Sequence, residues 1–278
     1  MTIPHADSEL PELMTFAQSL GNDYQAGTLN SWQKMKDRVL AFYTPARMDA
    51  IETVIPGWRK MASYSDGAVL GHVTAALTTL LLNDEYQHLP PDEQTLLKWI
   101  VLFHDLEKEP QYPKRDLTHG FRSAATTGRV LPQLGFPMGA DRDDELKAWA
   151  SLTSEAITYD PTLDDNIQDN AKLPGIMDGI ERIFGVNTPA ALVIKTVLLH
   201  MSINVLDEWP QAAPLTDAEI RRYIDAPLFP LLRVMMLVDN DAYAFFDPPT
   251  KARHRAETLA AFNRAAALCG ISQASLTG

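Results

Sequence analysis

The chain has 278 residues, a formal net charge of −12 and a single cysteine, Cys269. That charge argues against a general nucleic-acid binder, which needs basic surface to release counterions from phosphates, and against docking on anionic membranes; a local basic pocket for a small phosphorylated ligand stays compatible with it. One cysteine excludes an internal disulfide and a cysteine-based zinc site, while the length and an apolar share of 46% suit one large domain or two small ones with a substantial core.

Proline (19) outnumbers glycine (14) and clusters between periodic segments, as in helical proteins. The N-terminal MTIPHADSELPEL has neither a basic n-region nor an apolar stretch, so no signal peptide is expected. No uninterrupted apolar run approaches the ~20 residues that span a bilayer, and a cytoplasmic location is the expectation. Residues from about 8 to 20 and 30 to 53 read as amphipathic helices, the second interrupted at Pro45. IPGWRKMASYSDG reads as a loop or short turn. A helix is predicted from about Asp66 through GHVTAALTTLLLNDEY to about Tyr86. HLPPDEQ then turns the chain, its Pro91, Asp92 and Glu93 suiting the start of the next helix, which runs to His104–Asp105.

EPQYPKRDLT is a charged, proline-broken loop, followed by a helix over HGFRSAATTGRVLPQL and its stop at GFP. DDELKAWASLTSEAI is another helix. YDPTLDDNIQDNAKLPG is an acidic surface excursion, read as a solvated loop with a lid as the alternative. Helices follow at about Met177–Phe184, from Pro189 to about Leu206, briefly after WPQAAPLT, and over PLFPLLRVMMLVDNDAYAF. KARHRAETLAAFNRAAALCG is a terminal amphipathic helix stopped by Gly270. Strand-like alternation is almost absent, and the ends TIPHADSELPE and SQASLTG are expected to fray. The fold class predicted is all-α, a bundle of roughly ten helices.

LKWIVLFHDLEK is the stretch around which the chain is organised: an apolar helix that finishes on His104, Asp105 and Lys108. Of the seven histidines, His5, His88 and His254 read as solvated, in a tail, a turn and a basic surface helix. His72, His104, His119 and His200 lie at the start of, the end of, the start of and inside apolar helices. Each alone reads as a satisfied core histidine. Asp239 changes that reading, because it follows the apolar run LLRVMMLV, and a carboxylate there is costly unless paired or bound to a metal. A buried Asp with nearby histidines suits a divalent metal.

GHVTAALTTLL, WIVLFHDLEK, THGFRSAATTGRVLPQLGFP, VLLHMSIN and LFPLLRVMMLVDNDAYAF together resemble the HD superfamily of metal-dependent phosphohydrolases, over roughly residues 66–245. The second and third blocks look most like the HD domain of bacterial tRNA nucleotidyltransferases, whose catalytic head has no counterpart here. The order H…HD…D puts His72, His104, Asp105 and Asp239 in the ligand positions, with His119 and His200 matching histidines of two later helices. The resemblance implies a helical HD domain over 66–245, with residues 1–65 as an N-terminal helical extension and 246–278 as a C-terminal helix; capping the core and forming a homodimer are equally open roles for these.

The chemistry it implies is hydrolysis of a phosphomonoester or phosphodiester, of a nucleotide or another small phosphate ester, by a water activated on Mn, Mg, Fe, Co or Ni. Asp105 would ligate, and bridge if two ions bind. Lys108 would meet a substrate phosphate, against the alternative of a solvated lysine at a helix C-terminus. His119 would ligate, contact substrate or act as a general acid. With His119 and His200 turned inward six side chains could hold two ions; without them four hold one. Lys114, Arg115 and Arg122 read as a solvated charged loop that could also reach phosphate. The family has glycine two residues after the HD aspartate, where this chain has Glu107, which would alter the turn or add an acidic group. Two further readings stay open: a di-iron oxygenase built on a similar six-ligand set, and a degenerate module that binds a nucleotide without turnover.

Overall fold

The most apolar segments of the sequence form the innermost helices, because a helix that is apolar nearly all round is stable only when surrounded by others. They are α6 (Ala68–Leu82), α8 (Pro91–Phe103), α12 (Pro189–Leu199) and α14 (Leu228–Tyr243). In this computed structural model, which describes residues 3–63, 67–109 and 114–272, α6 packs on α8, α8 on α12, α12 on α14 and α14 back on α6. Around this four-helix core, α2 (Pro11–Gln25) covers α6 and α15 (Pro248–Cys269) covers α14. On the α12 side α9 (His119–Val130) packs, carrying α10 (Asp143–Ser154) and then α11 (Leu173–Phe184). Fifteen α-helices occur among the described residues, and the fold is all-α apart from one hairpin. No helix of the described residues is long and apolar enough to cross a membrane.

Local chemistry explains the starts and stops. Thr188 accepts a hydrogen bond from the Ala191 amide and Pro189 occupies the first turn of α12, an N-terminus built from a capping hydroxyl and a residue without a donor to lose. Asp247 caps α15 through the Thr250 amide, and Gly270 closes it at φ +67°, a left-handed conformation that suits glycine. α13 (Asp217–Tyr223) opens on a reciprocal capping box between Thr216 and Glu219.

The structure departs from the sequence expectations at several places. The helix count exceeds ten because short turns of helix bridge the long ones. IPGWRKMASYSDG, read as a loop, contains α5 (Trp58–Ser63), drawn into helix by burial of Trp58 and Met61. The helix expected to run to Tyr86 stops at Leu82, where the Asn83 side chain accepts from the Tyr86 amide and starts a separate α7 (Asp84–His88); its expected start at Asp66 lies outside the described residues. The apolar helix from Pro189 ends at Leu199, seven residues early. The N-terminal stretch expected to fray carries α1 (Ala6–Glu9) and is tied down by Trp99 Nε1, which donates to the Pro4 carbonyl at 2.8 Å. Most of SQASLTG lies outside the described residues. The acidic excursion holds an antiparallel hairpin, β1 (Ile157–Asp160) with β2 (Asp165–Gln168); Gln168, at the end of β2, is buried.

His254 is the clearest correction. It was expected in solvent on a basic helix, but its side chain is fully buried and its Nε2 lies 2.5 Å from Glu208 Oε1. Glu208 comes from the irregular segment after α12, which folds over that face of α15. His5 and His88 are exposed.

Candidate metal centre

Three of the histidines are placed by helix ends. α8 stops at Phe103, and His104 keeps helical dihedrals as its cap before the chain turns. Its Nδ1 lies 2.8 Å from the Val101 carbonyl. His200 caps α12 in the same way, Nδ1 to the Val197 carbonyl at 2.6 Å. His119 opens α9, with Nδ1 2.8 Å from the Asp116 carbonyl. A carbonyl only accepts, so in each ring Nδ1 carries the proton and donates, and the neutral ring's Nε2 presents a bare lone pair. All three Nε2 atoms lie within 3.8 Å of an Asp105 oxygen, in the tautomer that metal-ligating histidines take when a backbone partner holds the other nitrogen. The helix expected to enclose His200 instead ends there, and that is what frees the ring to turn inward.

The six side chains singled out from the sequence come together as two groups. His72, His104 and Asp239 form one; Asp105, His119 and His200 form the other. Asp105 joins them: Oδ2 lies 3.6 Å from His72 Nε2 and 3.5 Å from His104 Nε2, while Oδ1 lies 3.0 Å from His119 Nε2 and 3.8 Å from His200 Nε2. Asp239 Oδ1 stands 2.8 Å from His72 Nε2 and 3.7 Å from His104 Nε2. His119 and His200 face each other Nε2 to Nε2 at 3.1 Å. Two bare lone pairs at that separation repel unless a proton or a metal ion lies between them. With ligand bonds of about 2.1 Å, neighbouring donors in a coordination shell stand about 3.0–3.4 Å apart, and the contacts here, from 2.8 to 3.8 Å, bracket that range. His104 Nε2 and Asp105 Oδ1 are also buried without a hydrogen-bond partner, a costly state for protein alone. The donor set thus fits divalent ions, and these two buried groups could hold them.

The electrostatics point the same way. Burial would raise the Asp105 carboxyl, but His104, Lys108 and His119 outweigh it and hold the group well below the usual carboxylate range. Burial acts likewise on Asp239, where His104 and His72 prevail and keep it ionised. Burial, with His119 and His104 beside it, pushes His200 down to about 3, and burial lowers His72. His104 goes the other way: burial opposes its charge, but Asp105 and Asp239 outweigh that and raise it. Two fixed carboxylates and the neutral imidazoles favoured at His72 and His200 are the protonation states that ligands need, and His104 would have to give up its proton to bind an ion.

Lys108 lies inside the cluster. Its Nζ donates to Asp105 Oδ2 at 2.6 Å and to the Tyr243 hydroxyl at 2.8 Å, so it is not the solvated lysine of the alternative reading. Tyr243 itself lies 4.2 Å, ring to ring, from His72. Glu107 stays out of the cluster: Thr126 Oγ1 donates to one of its oxygens at 2.7 Å and Lys60 pairs with the other at 2.6 Å. It also has no left-handed φ, so the turn past Asp105 needs no glycine. Arg122 is engaged by Asp116 at 2.5 Å and by the Glu107 carbonyl at 2.8 Å. It fixes the loop whose Asp116 carbonyl orients His119 and is not turned to a ligand.

A cavity of about 590 Å³ opens on the centre, with Asp239, His119, Lys108 and Tyr243 in its wall. Lys114 and Arg115 line its charged side. Met201, Leu206, Trp209 and Met236 form an apolar side. Trp209 packs edge-on to Tyr243 and to His254, at 5.8 and 5.5 Å between ring centres.

No family profile, no curated protein and no solved structure matches the chain.

Tyr243, Gly120 and Asp116 are parts of the site that sequence reasoning did not single out. Tyr243 was within reach, since it lies four residues after Asp239 and so on the same helix face. Gly120 acts by having no side chain. A Cβ there would meet Gln168 Nε2 at 2.7 Å and the Leu198 carbonyl at 3.4 Å. The missing side chain lets α9 and α12 approach until His119 and His200 share one point. Asp116 acts through its carbonyl, which no residue-type pattern reveals.

Proposed function

We propose that the chain is a metal-dependent phosphohydrolase of the HD type, acting on a small phosphate ester. The observation that carries this reading is Asp105, whose two oxygens each face a separate histidine group through its Nε2 atoms. The residues to hold the ions are His72, His104 and Asp239 on one side, His119 and His200 on the other, with Asp105 between. Bound there, divalent ions supply an acidified water and offset charge on phosphoryl oxygens.

The chain's own residues supply the rest. Lys108, fixed by Asp105 and Tyr243 on the cavity side, is the cation placed to neutralise charge developing on phosphorus oxygens. Lys114 and Arg115 bring positive charge to the cavity wall of an otherwise acidic protein. His119 lines the cavity as well as the second group, so ligation and proton donation are both open to it. The test is hydrolysis of phosphomonoesters and phosphodiesters by chelator-stripped protein reconstituted separately with Mn, Mg, Fe, Co and Ni. Turnover with at least one metal, abolished in Asp105→Ala, is expected; no turnover with any of them overturns the reading.

The same six side chains, with a carboxylate between two histidine groups and an apolar cavity wall, also suit an iron pair acting on dioxygen. That reading predicts two irons per chain, an EPR signal after partial oxidation, and no phosphate release. Glu107, which stands where the family has glycine, is tied to Lys60 and Thr126 and stays out of the cluster.

A further inference from the structure

Behind Tyr243, on the side away from Asp239, lies a second cavity of about 300 Å³. Its walls are one face of α3 (Trp32–Phe42), with Trp32, Met35, Val39 and Leu40, and the first turns of α6. It reaches the metal centre too, because His72 and Tyr243 line it. Asp239 lines only the larger cavity and His72 only the smaller, so the centre is approached from both sides and Tyr243 separates them.

Gly71 adds no side chain to this space. A glycine inside a helix is unfavourable, since it loses more backbone freedom on folding than any other residue. Gly120 offsets that cost by letting two helices touch. Gly71 does not: among the described residues nothing lies within 4 Å of a Cβ built on it. It stands one residue before the ligand His72, and what it provides is room beside that ligand. The surroundings define what fits. Among the described residues Lys36 is the one side chain with a fixed charge in the wall, and Trp32 and Leu40 stay 42% and 60% exposed at its edge. With Trp32, Met35, Val39 and Leu40 making most of the side-chain wall, a sugar or other polyhydroxylated group would leave most of its hydroxyls without partners.

We propose that this second cavity is a subsite for an alkyl chain, and that the substrate is accordingly the phosphate ester of an apolar alcohol. The phosphate sits at Asp105, Lys108 and the ions, and the chain passes Tyr243 to lie between α3 and Gly71. This rests on the phosphohydrolase reading.

The experiment is isothermal titration of the Mn-loaded protein, metal content verified, with inorganic phosphate and then with methyl, butyl, hexyl and octyl phosphate, under conditions where turnover is negligible. Affinity is expected to rise about four-fold per methylene until the cavity is full. In Gly71→Leu, which fills the space, the ratio of hexyl to methyl phosphate affinity is expected to fall at least ten-fold. Leu40→Asp, at an exposed position that the fold does not depend on, is expected to lower the same ratio and serves if Gly71→Leu does not fold. Equal affinities along the series, with inorganic phosphate bound, overturn the subsite and leave the phosphohydrolase reading standing. A rising series untouched by either substitution places the chain in the larger cavity and likewise overturns the subsite. Failure of inorganic and methyl phosphate to bind metal-loaded protein overturns the phosphohydrolase reading, and the subsite with it.

Discussion

Asp105 carries more of the site than any other side chain. Its two oxygens face different histidines, and it neutralises Lys108 in the protein interior. Asp105→Ala is expected to drop metal content below one ion per chain and activity by at least about 10²-fold, measured by elemental analysis and phosphate release. His200→Gln touches only the second group and is expected to take content from about two ions to about one. The pH response of chelator-stripped protein follows from the shifts. His200 falls from 6.5 to about 3 on folding, so between those values the unfolded chain binds the extra proton and stability drops as pH falls. His104 contributes with the opposite sign: raised above 6.5, its stabilisation is complete below that value and lost as pH rises through the folded one. Asp105 and Asp239 stabilise above 3.8, an effect lost as pH falls through their depressed values. Thermal melts of His200→Gln from pH 7 to 3 are expected to show a shallower decline than wild type.

Among the elements, the approach of α9 to α12 decides whether the second histidine pair exists. Gly120→Ala places a methyl against Gln168 and the Leu198 carbonyl. It is expected to cost about 1–3 kcal/mol by overpacking and to weaken the His119–His200 position selectively, read as loss of one ion at intact secondary structure. The segment after α12 is held differently. Glu208 pairs with buried His254 and with Arg253, the latter at 2.7 Å, and so holds neighbouring Trp209 on the cavity wall. Glu208→Ala leaves His254 buried beside Arg253 without its acid. It is expected to lower the melting temperature and to increase quenching of tryptophan fluorescence by acrylamide, as Trp209 loosens.

At the scale of the molecule, the six side chains bring four core helices and α9 to one point, so ions there cross-link the fold. Divalent metal at 100-fold its dissociation constant is expected to raise stability by about 2.7 kcal/mol and the melting temperature by about 5 °C or more, with no shift in Asp105→Ala. Much of this architecture was legible in the sequence, because apolar periodicity, N-terminal prolines and capping hydroxyls act within a few residues of themselves. That these six side chains need partners inside the fold was legible for a related reason: charged or titratable groups in apolar segments need a partner wherever the chain takes them. His254 was misread because its neighbours in sequence are basic and polar, and only Glu208, 46 residues away, makes its burial tolerable. The hairpin at 157–168 was missed because its strands are short and largely exposed, so no apolar alternation marks them.

By itself the sequence determined the helical class, the buried helices and the identity of the groups that must be satisfied inside them. Tertiary packing alone decided how they are satisfied. His72 and Asp239 stand 167 residues apart in the chain and 2.8 Å apart in space, and the division of six donors into two groups about Asp105 depends on where α8 and α12 stop. The same holds for the two glycines: Gly120 brings helices into contact and Gly71 adds no side chain to a cavity, although both are one residue from a candidate ligand. Helix period is a property of the backbone and its nearest side chains, whereas the space beside a helix is set by whatever distant segment packs there.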